Sequence, residues 1–225
     1  MTQGICAPNG EGRFWSNGDF DGWEEGLKAY YDTDLSDAKK LSMGMQDRFS
    51  LSKFAAKFTK DNGWLAPAEQ PKRYRTYQKV KDLAALIKTR DRLLAVSKPL
   101  KDVIEKMEPG VHQFWPMAIV QPDSTEYPTP YYEMVIQTHL DAFRAGQSDK
   151  ESWHERSGRY RVETVGGGLP KRMSGIAMSA QVIGGAHLWR EKTLLEPILC
   201  LSDTLMAEIS NAGLVVPKAY KMRDV

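Results

Sequence analysis

The sequence predicts an α+β fold: a mainly antiparallel or mixed sheet of short strands with packed helices, and a helical N-terminal third. Three observations predict it. Short apolar runs and helix-periodic stretches are interspersed through residues 80–222, joined by tight connections. Two stretches share one build: Leu94-Ala95-Val96-Ser97 followed by Leu100, Val103, Ile104 and Gly110, and Leu199-Cys200-Leu201-Ser202 followed by Leu205, Ile209 and Gly213. Each reads as strand, capping serine, about three helical turns and a glycine stop. Finally, Trp23, Leu27 and Tyr30 or Tyr31 recur at helical spacing near the N-terminus.

In chain order, residues 1–22 carry glycines at 4, 10, 12, 18 and 22 with interleaved Asn and Asp, a composition of loops and turns. Phe14, Trp15 and Phe20 would pin that segment to the body. Residues 23–60 read as helical, with Ser52 as a cap for a short helix bearing Phe54, Ala55 and Phe58. Gly63, Pro67 and Pro71 then mark a boundary between a loop-rich and helical portion, 1–75, and an α+β domain, 76–225. Leu93–Val96 reads as a buried strand. Ser97 caps the next helix, and Pro99 is tolerated in its first turn, where amides lack intrahelical partners. Val111–Val120 reads as a strand, and Pro116 makes it an edge strand or a bulged one.

Pro122, Pro128 and Pro130 make residues 121–130 a loop. Residues 131–143 fit a helical face by spacing and a strand by β-branched and aromatic content. Residues 144–157 read as polar loop, and Arg159–Val165 alternates like a strand with one wet face. Gly166-Gly167-Gly168 ends it. Further strands are expected at Met173–Met178, Ala186–Arg190 and 198–201, then a helix capped by Ser202, Gly213 and a last extended piece.

Composition narrows the function classes. The net charge is +2 from 31 basic and 29 acidic residues, which argues against a nucleic-acid binder. The one basic cluster is Lys72-Arg73-Tyr74-Arg75 with Lys79 and Lys81, and it reads as a solvated linker after two prolines. Two cysteines, Cys6 and Cys200, imply no disulfide framework. The first residues form no secretory signal, and no apolar run approaches the ~20 residues of a membrane span. The expected compartment is the cytoplasm.

No constellation marks a metal or a cofactor. His112, His139, His154 and His187 form no His-Glu-x-x-His pattern. The triple glycine lacks the Lys-Ser/Thr ending of a phosphate loop, and Pro170 interrupts its row of amides. No Gly-x-Ser-x-Gly elbow occurs, and Cys200 in an apolar run reads as a small buried hydrophobe. An enzyme would have to assemble a histidine-containing cleft from His187 with Arg190, or from His154 with Glu155.

The run Val182-Ile183-Gly184-Gly185-Ala186-His187-Leu188-Trp189-Arg190, followed by Ile198-Leu199-Cys200-Leu201-Ser202-Asp203-Thr204-Leu205, resembles the C-terminal hallmark of the eleventh class of bacterial polymorphic-toxin immunity proteins, formerly a domain of unknown function. Leu94–Leu100, Phe114-Trp115-Pro116 and Tyr131–Phe143 are similar to the same family, in which the last segment leans toward strand. The resemblance covers roughly residues 80–222; residues 1–75 do not match it strongly, which would make them an atypical N-terminal portion. It implies a non-enzymatic protein without cofactors that binds a cognate toxin and blocks its active site. The alternative remains a hydrolase that reverses or prevents toxin damage. On the binding reading, the contacts are expected in the polar loops 121–130 and 147–157, at Asp123, Glu126, Tyr127, Asp149, Glu151 and Trp153.

Overall fold

The computed structural model describes residues 1–5, 12–59, 63–156, 158–163, 169–194 and 198–225. The triple-glycine segment and Cys6 lie outside them. The chain begins with β1 (Thr2–Ile5), β2 (Gly18–Phe20), α1 (Trp23–Thr33), α2 (Asp37–Ser42), α3 (Leu51–Ala56), β3 (Arg73–Thr76), β4 (Leu86–Lys88) and β5 (Leu94–Ser97). It continues with α4 (Lys98–Met107), β6 (Gln113–Val120), β7 (Tyr131–Val135), β8 (His139–Leu140), β9 (Trp153–Arg156), β10 (Arg159–Val162) and α5 (Leu169–Ser174). It ends with β11 (Ala177–Met178), α6 (Ala180–Ile183), β12 (Leu188–Glu191), β13 (Leu199–Ser202), α7 (Asp203–Asn211), β14 (Ala219–Lys221) and β15 (Arg223–Asp224). The architecture is α+β with mixed sheets. The first 75 residues are not a helical layer alone, because β1 and β2 precede α1 and most of β3 follows α3 within them.

Two compact units divide the chain: Met1–Asn9, Asp102–His112 and Ile136–Val225 form unit 1, and Gly10–Lys101 with Gln113–Val135 form unit 2. Residues 75 and 76, where composition suggests a boundary, are neighbours within β3.

Unit 2 is built on a six-stranded sheet, β2-β3-β6-β7-β5-β4, in which only β3 and β6 run parallel. The basic run around Arg73 is therefore a strand and not a linker. Helix α1 and Phe58, in the turn just after α3, meet the sheet through a relay of edge-on rings: Tyr74 to Phe20 at 5.0 Å, Phe20 to Trp23 at 5.2 Å, Trp23 to Phe58 at 5.8 Å and Phe58 to Trp115 at 5.7 Å. Trp23, Leu27 and Tyr31 are the buried residues of α1, as their spacing requires. Ser50 is the N-cap of α3, while Ser52 lies inside the helix. Gly18 must be a glycine. A Cβ there would stand 2.3 Å from the Arg75 carbonyl oxygen across the β2–β3 ladder.

Strand β6 is interior, between β3 and β7. Its proline survives for a local reason. Along β6, strand β3 pairs only with Ala118–Val120, and the Ala118 amide donates to Lys72 O. Alternate amides face the same side, so the missing N–H of Pro116 points to where β3 has not yet begun. Residues 131–143 resolve as strands β7 and β8, in line with their β-branched and aromatic content.

Unit 1 holds a five-stranded sheet, β14-β1-β13-β12-β8, mainly antiparallel with β8 parallel to β12. Two short ladders, β9–β10 and β11–β15, accompany it. Strand β1 threads between β13 and β14, placing Gly4 opposite both Cys200 and Tyr220. Its core contains Trp189, Cys200, Ile198, Met173, Met178 and Met222. Residues 169–174 are helix α5, where residues from Met173 onward read as strand; only Ala177–Met178 is extended.

The paired strand–serine–helix units are both present, but their serines differ. Ser202 Oγ accepts from the Leu205 amide at 3.1 Å and caps α7. Ser97 Oγ is buried and finds no hydrogen-bond partner among the described residues. Pro99 has also removed one of the amides a cap could satisfy. Ser202→Ala is therefore expected to lower stability by about 0.5–2 kcal/mol. Ser97→Ala, which deletes an unpaired buried hydroxyl, should be nearly neutral or stabilising. Chemical denaturation of the two variants checks this, and equal losses would contradict it.

Candidate partner-binding surface

In unit 2 the segments 77–82 and 121–126 form one charged surface. Gln121 joins them, accepting from the Val80 amide through Oε1 at 2.9 Å and donating to Val80 O through Nε2 at 3.3 Å. Lys79 then meets Asp123 at 3.2 Å. Hydrogen bonds from the Thr125 hydroxyl (2.6 Å) and amide (3.1 Å), with that from Lys79, hold the Asp123 carboxyl down to about 2. Ser124 takes a left-handed φ of 65° at the tip. Glu126 meets Arg73 at 3.4 Å, and Arg75 grips Asp21 through two parallel contacts of 3.2 and 3.0 Å. The basic cluster seen in the sequence is thus largely met by acids from other segments. Tyr127 is half-buried. Its hydroxyl accepts from the Leu83 amide at 3.0 Å, and its ring packs edge-on to Tyr131.

Beside this surface lies a cavity of about 330 Å³ between residues 12–17 and 78–82. Arg13, Lys79 and Lys81 line it with Asp82, Trp15 and Ser16. Tyr77, in the same segment, is 59% exposed.

Asp149, Glu151 and Trp153 belong to unit 1. Asp149 meets Arg223 at 3.4 Å, and Glu151 is exposed, with its backbone carbonyl accepting from Arg172. Trp153 starts strand β9 and does not stand in a loop. It is half-buried, with its ring edge-on to Tyr160 at 5.1 Å and to Phe143 at 5.9 Å.

The histidines proposed for a cleft have structural partners. His154 Nδ1 lies 3.2 Å from Glu163 on the surface of the β9–β10 ladder. His187 donates its amide to Glu108 Oε1 at 2.7 Å, and its Nδ1 lies 2.8 Å from Ser202 Oγ. Glu108 Oε2 meets His112 at 2.8 Å. Burial alone would raise Glu108, but the His112 ring and the His187 amide outweigh it and hold the carboxyl below its usual range. This network ties the end of α4 to the entry of β12 and the cap of α7. The neighbouring Arg190 is buried instead of lining an open site, and burial lowers its guanidinium to about 10. Among the described residues, no group of three or more acidic, histidine or cysteine side chains is placed to hold a metal ion. No helix among them is long and apolar enough to cross a membrane.

The model of an immunity protein family, Imm11, matches residues 20–223. The chain belongs to the Imm11 immunity protein family. The match begins 60 residues before the stretch that carries the sequence resemblance, so α1–α3 and β3 are part of the Imm11 unit and not an atypical extension. The fold gives the reason: β3 supplies an inner strand of the six-stranded sheet, and α1 and α3 supply the rings that cover it. No curated protein matches the chain.

Proposed function

We propose that this Imm11 chain is a cytoplasmic immunity protein of a bacterial polymorphic-toxin system. It neutralises a cognate toxin by stoichiometric binding across the toxin's active site, without catalysis of its own. The family match over residues 20–223 carries this reading. The charged surface of unit 2 supports it, because its side chains are exposed ion pairs that a partner's charges can exchange at little cost. The contact residues are Asp123, Glu126 and Tyr127 in unit 2, and Asp149, Glu151 and the accessible edge of Trp153 in unit 1. A tight pair of this kind buries about 1,200–2,000 Å² in total, with a few anchors carrying most of the energy.

Co-expression with the toxin encoded beside this chain's gene tests the reading. The wild-type chain restores growth and co-purifies with the toxin. Asp123→Lys with Glu126→Lys changes the association rate several-fold and alters its salt dependence, as a change of rim charges does. Absence of both rescue and complex would overturn the proposal.

A further inference from the structure

We propose that the cavity between residues 12–17 and 78–82 seats an acidic side chain of the toxin; this rests on the binding function proposed above. The lining offers three cations, Arg13, Lys79 and Lys81, against one carboxylate, Asp82. Two of the three are only loosely committed. Arg13 meets Asp82 at 2.8 Å and Lys79 meets Asp123 at 3.2 Å, both as exposed pairs. Exposed, solvent-screened pairs of this kind are weak, so an incoming carboxylate displaces them readily. Lys81 is exposed and has no partner among the described residues.

The walls add shape. Trp15 is half-buried and carries the Lys88 ammonium over its ring at 3.9 Å. Ser16 is among the lining residues, and its hydroxyl is buried with no partner among the described residues. A volume of about 330 Å³ holds a Glu or Asp side chain together with part of its loop. Exposed Tyr77 stands beside the opening in sequence and has the character of an interface anchor. The site therefore favours an acidic loop on the partner, while the whole chain, at a net charge of +2, does not attract polyanions in general.

The test uses the full chain and a catalytically inactive form of the toxin encoded by the adjacent gene, with Kd measured at low and at physiological salt. Arg13→Glu with Lys81→Glu is expected to raise Kd by about 30-fold or more and to flatten its salt dependence. Lys81→Arg stays near wild type, and so does Lys28→Glu, which changes charge on α1 outside the cavity. In parallel, p-benzoylphenylalanine replaces Tyr77, and its crosslink should map to a toxin segment rich in Asp or Glu. Wild-type complex formation with no more than a twofold change in the double variant, or with crosslinks to an apolar or basic segment, overturns this proposal and leaves the binding function standing. Tight binding of ATP or inorganic phosphate by the isolated chain, lost in the double variant while toxin affinity is kept, overturns it in favour of a small anion. Failure of the wild-type chain to bind the toxin at all overturns both.

Discussion

Trp115→Ala is expected to remove about 3–5 kcal/mol of stability, the largest loss of any single truncation considered. Trp115 is 5% exposed in an interior strand, and it does three things at once. Its ring closes the relay that runs through Phe58, Trp23 and Phe20 to Tyr74. Its indole N–H donates to Pro71 O at 2.7 Å, fixing the chain just before β3. It is also part of the buried core that includes Phe54, Phe58 and Leu65. Alanine forfeits the transfer free energy, opens a cavity and leaves the Pro71 carbonyl unpaired. Trp115→Phe separates these effects. It keeps most of the ring contact and loses the hydrogen bond, for about 1–3 kcal/mol. Urea denaturation followed by far-ultraviolet circular dichroism reads both. A loss below about 1 kcal/mol for the alanine variant would mean the relay does not hold α1 and α3 on the sheet.

Glu133→Gln is expected to make the protein more stable at neutral pH, by an amount that grows with pH. Glu133 is fully buried in β7, and one oxygen accepts from Thr89 Oγ1 at 3.1 Å while the other has no partner among the described residues. Burial raises its pKa well above the ordinary 4.5, and the Thr89 bond only partly opposes this. The folded chain therefore keeps a proton that the unfolded chain releases above about pH 4.5. With more protons bound in the folded state, stability is full below the unfolded value and is lost as pH rises toward the folded value. The slope approaches about 1.4 kcal/mol per pH unit across that window. Glutamine has no such titration. Its difference from wild type should be small near pH 4 and favour the variant increasingly from pH 5 upward. Parallel stability curves for the two proteins across this range would show that Glu133 is ionised and solvated in the folded chain.

Elements whose own periodicity is strong were legible in the sequence. Helix α1 declares itself by Trp23, Leu27 and Tyr31, and the β5–α4 and β13–α7 units by apolar run, periodic face and glycine stop. Elements made by distant partners were hidden. Strand β1 has no pattern of its own and exists because Gln3 faces Leu201 and Gly4 faces Cys200. Gly4 and Gly18 look like turn residues, yet both serve close packing: a Cβ on Gly4 would meet the Met173 methyl at 2.5 Å. Ser97 and Ser202 look alike in sequence, and only the hydrogen bond tells them apart.

The same limit applies to the surface. Asp123 and Glu126 were legible as polar loop residues, but their partners Lys79 and Arg73 are 44 and 53 positions away in the chain. Glu133 gave no signal beyond being a carboxylate among apolar neighbours in Tyr131–Val135. The cavity gave none, because it is shaped by two segments whose approach depends on the β2–β3 ladder.

The central claim is that the chain acts by occupying its partner. The most direct test is to titrate purified chain into a fixed concentration of the active toxin from which the chain rescues cells, while following toxin activity. Stoichiometric binding predicts a linear fall to an end point at one chain per toxin, with full activity recovered when the complex is dissociated. Loss of activity at a small fraction of one equivalent, or inhibition that persists after the chain is removed, would contradict it.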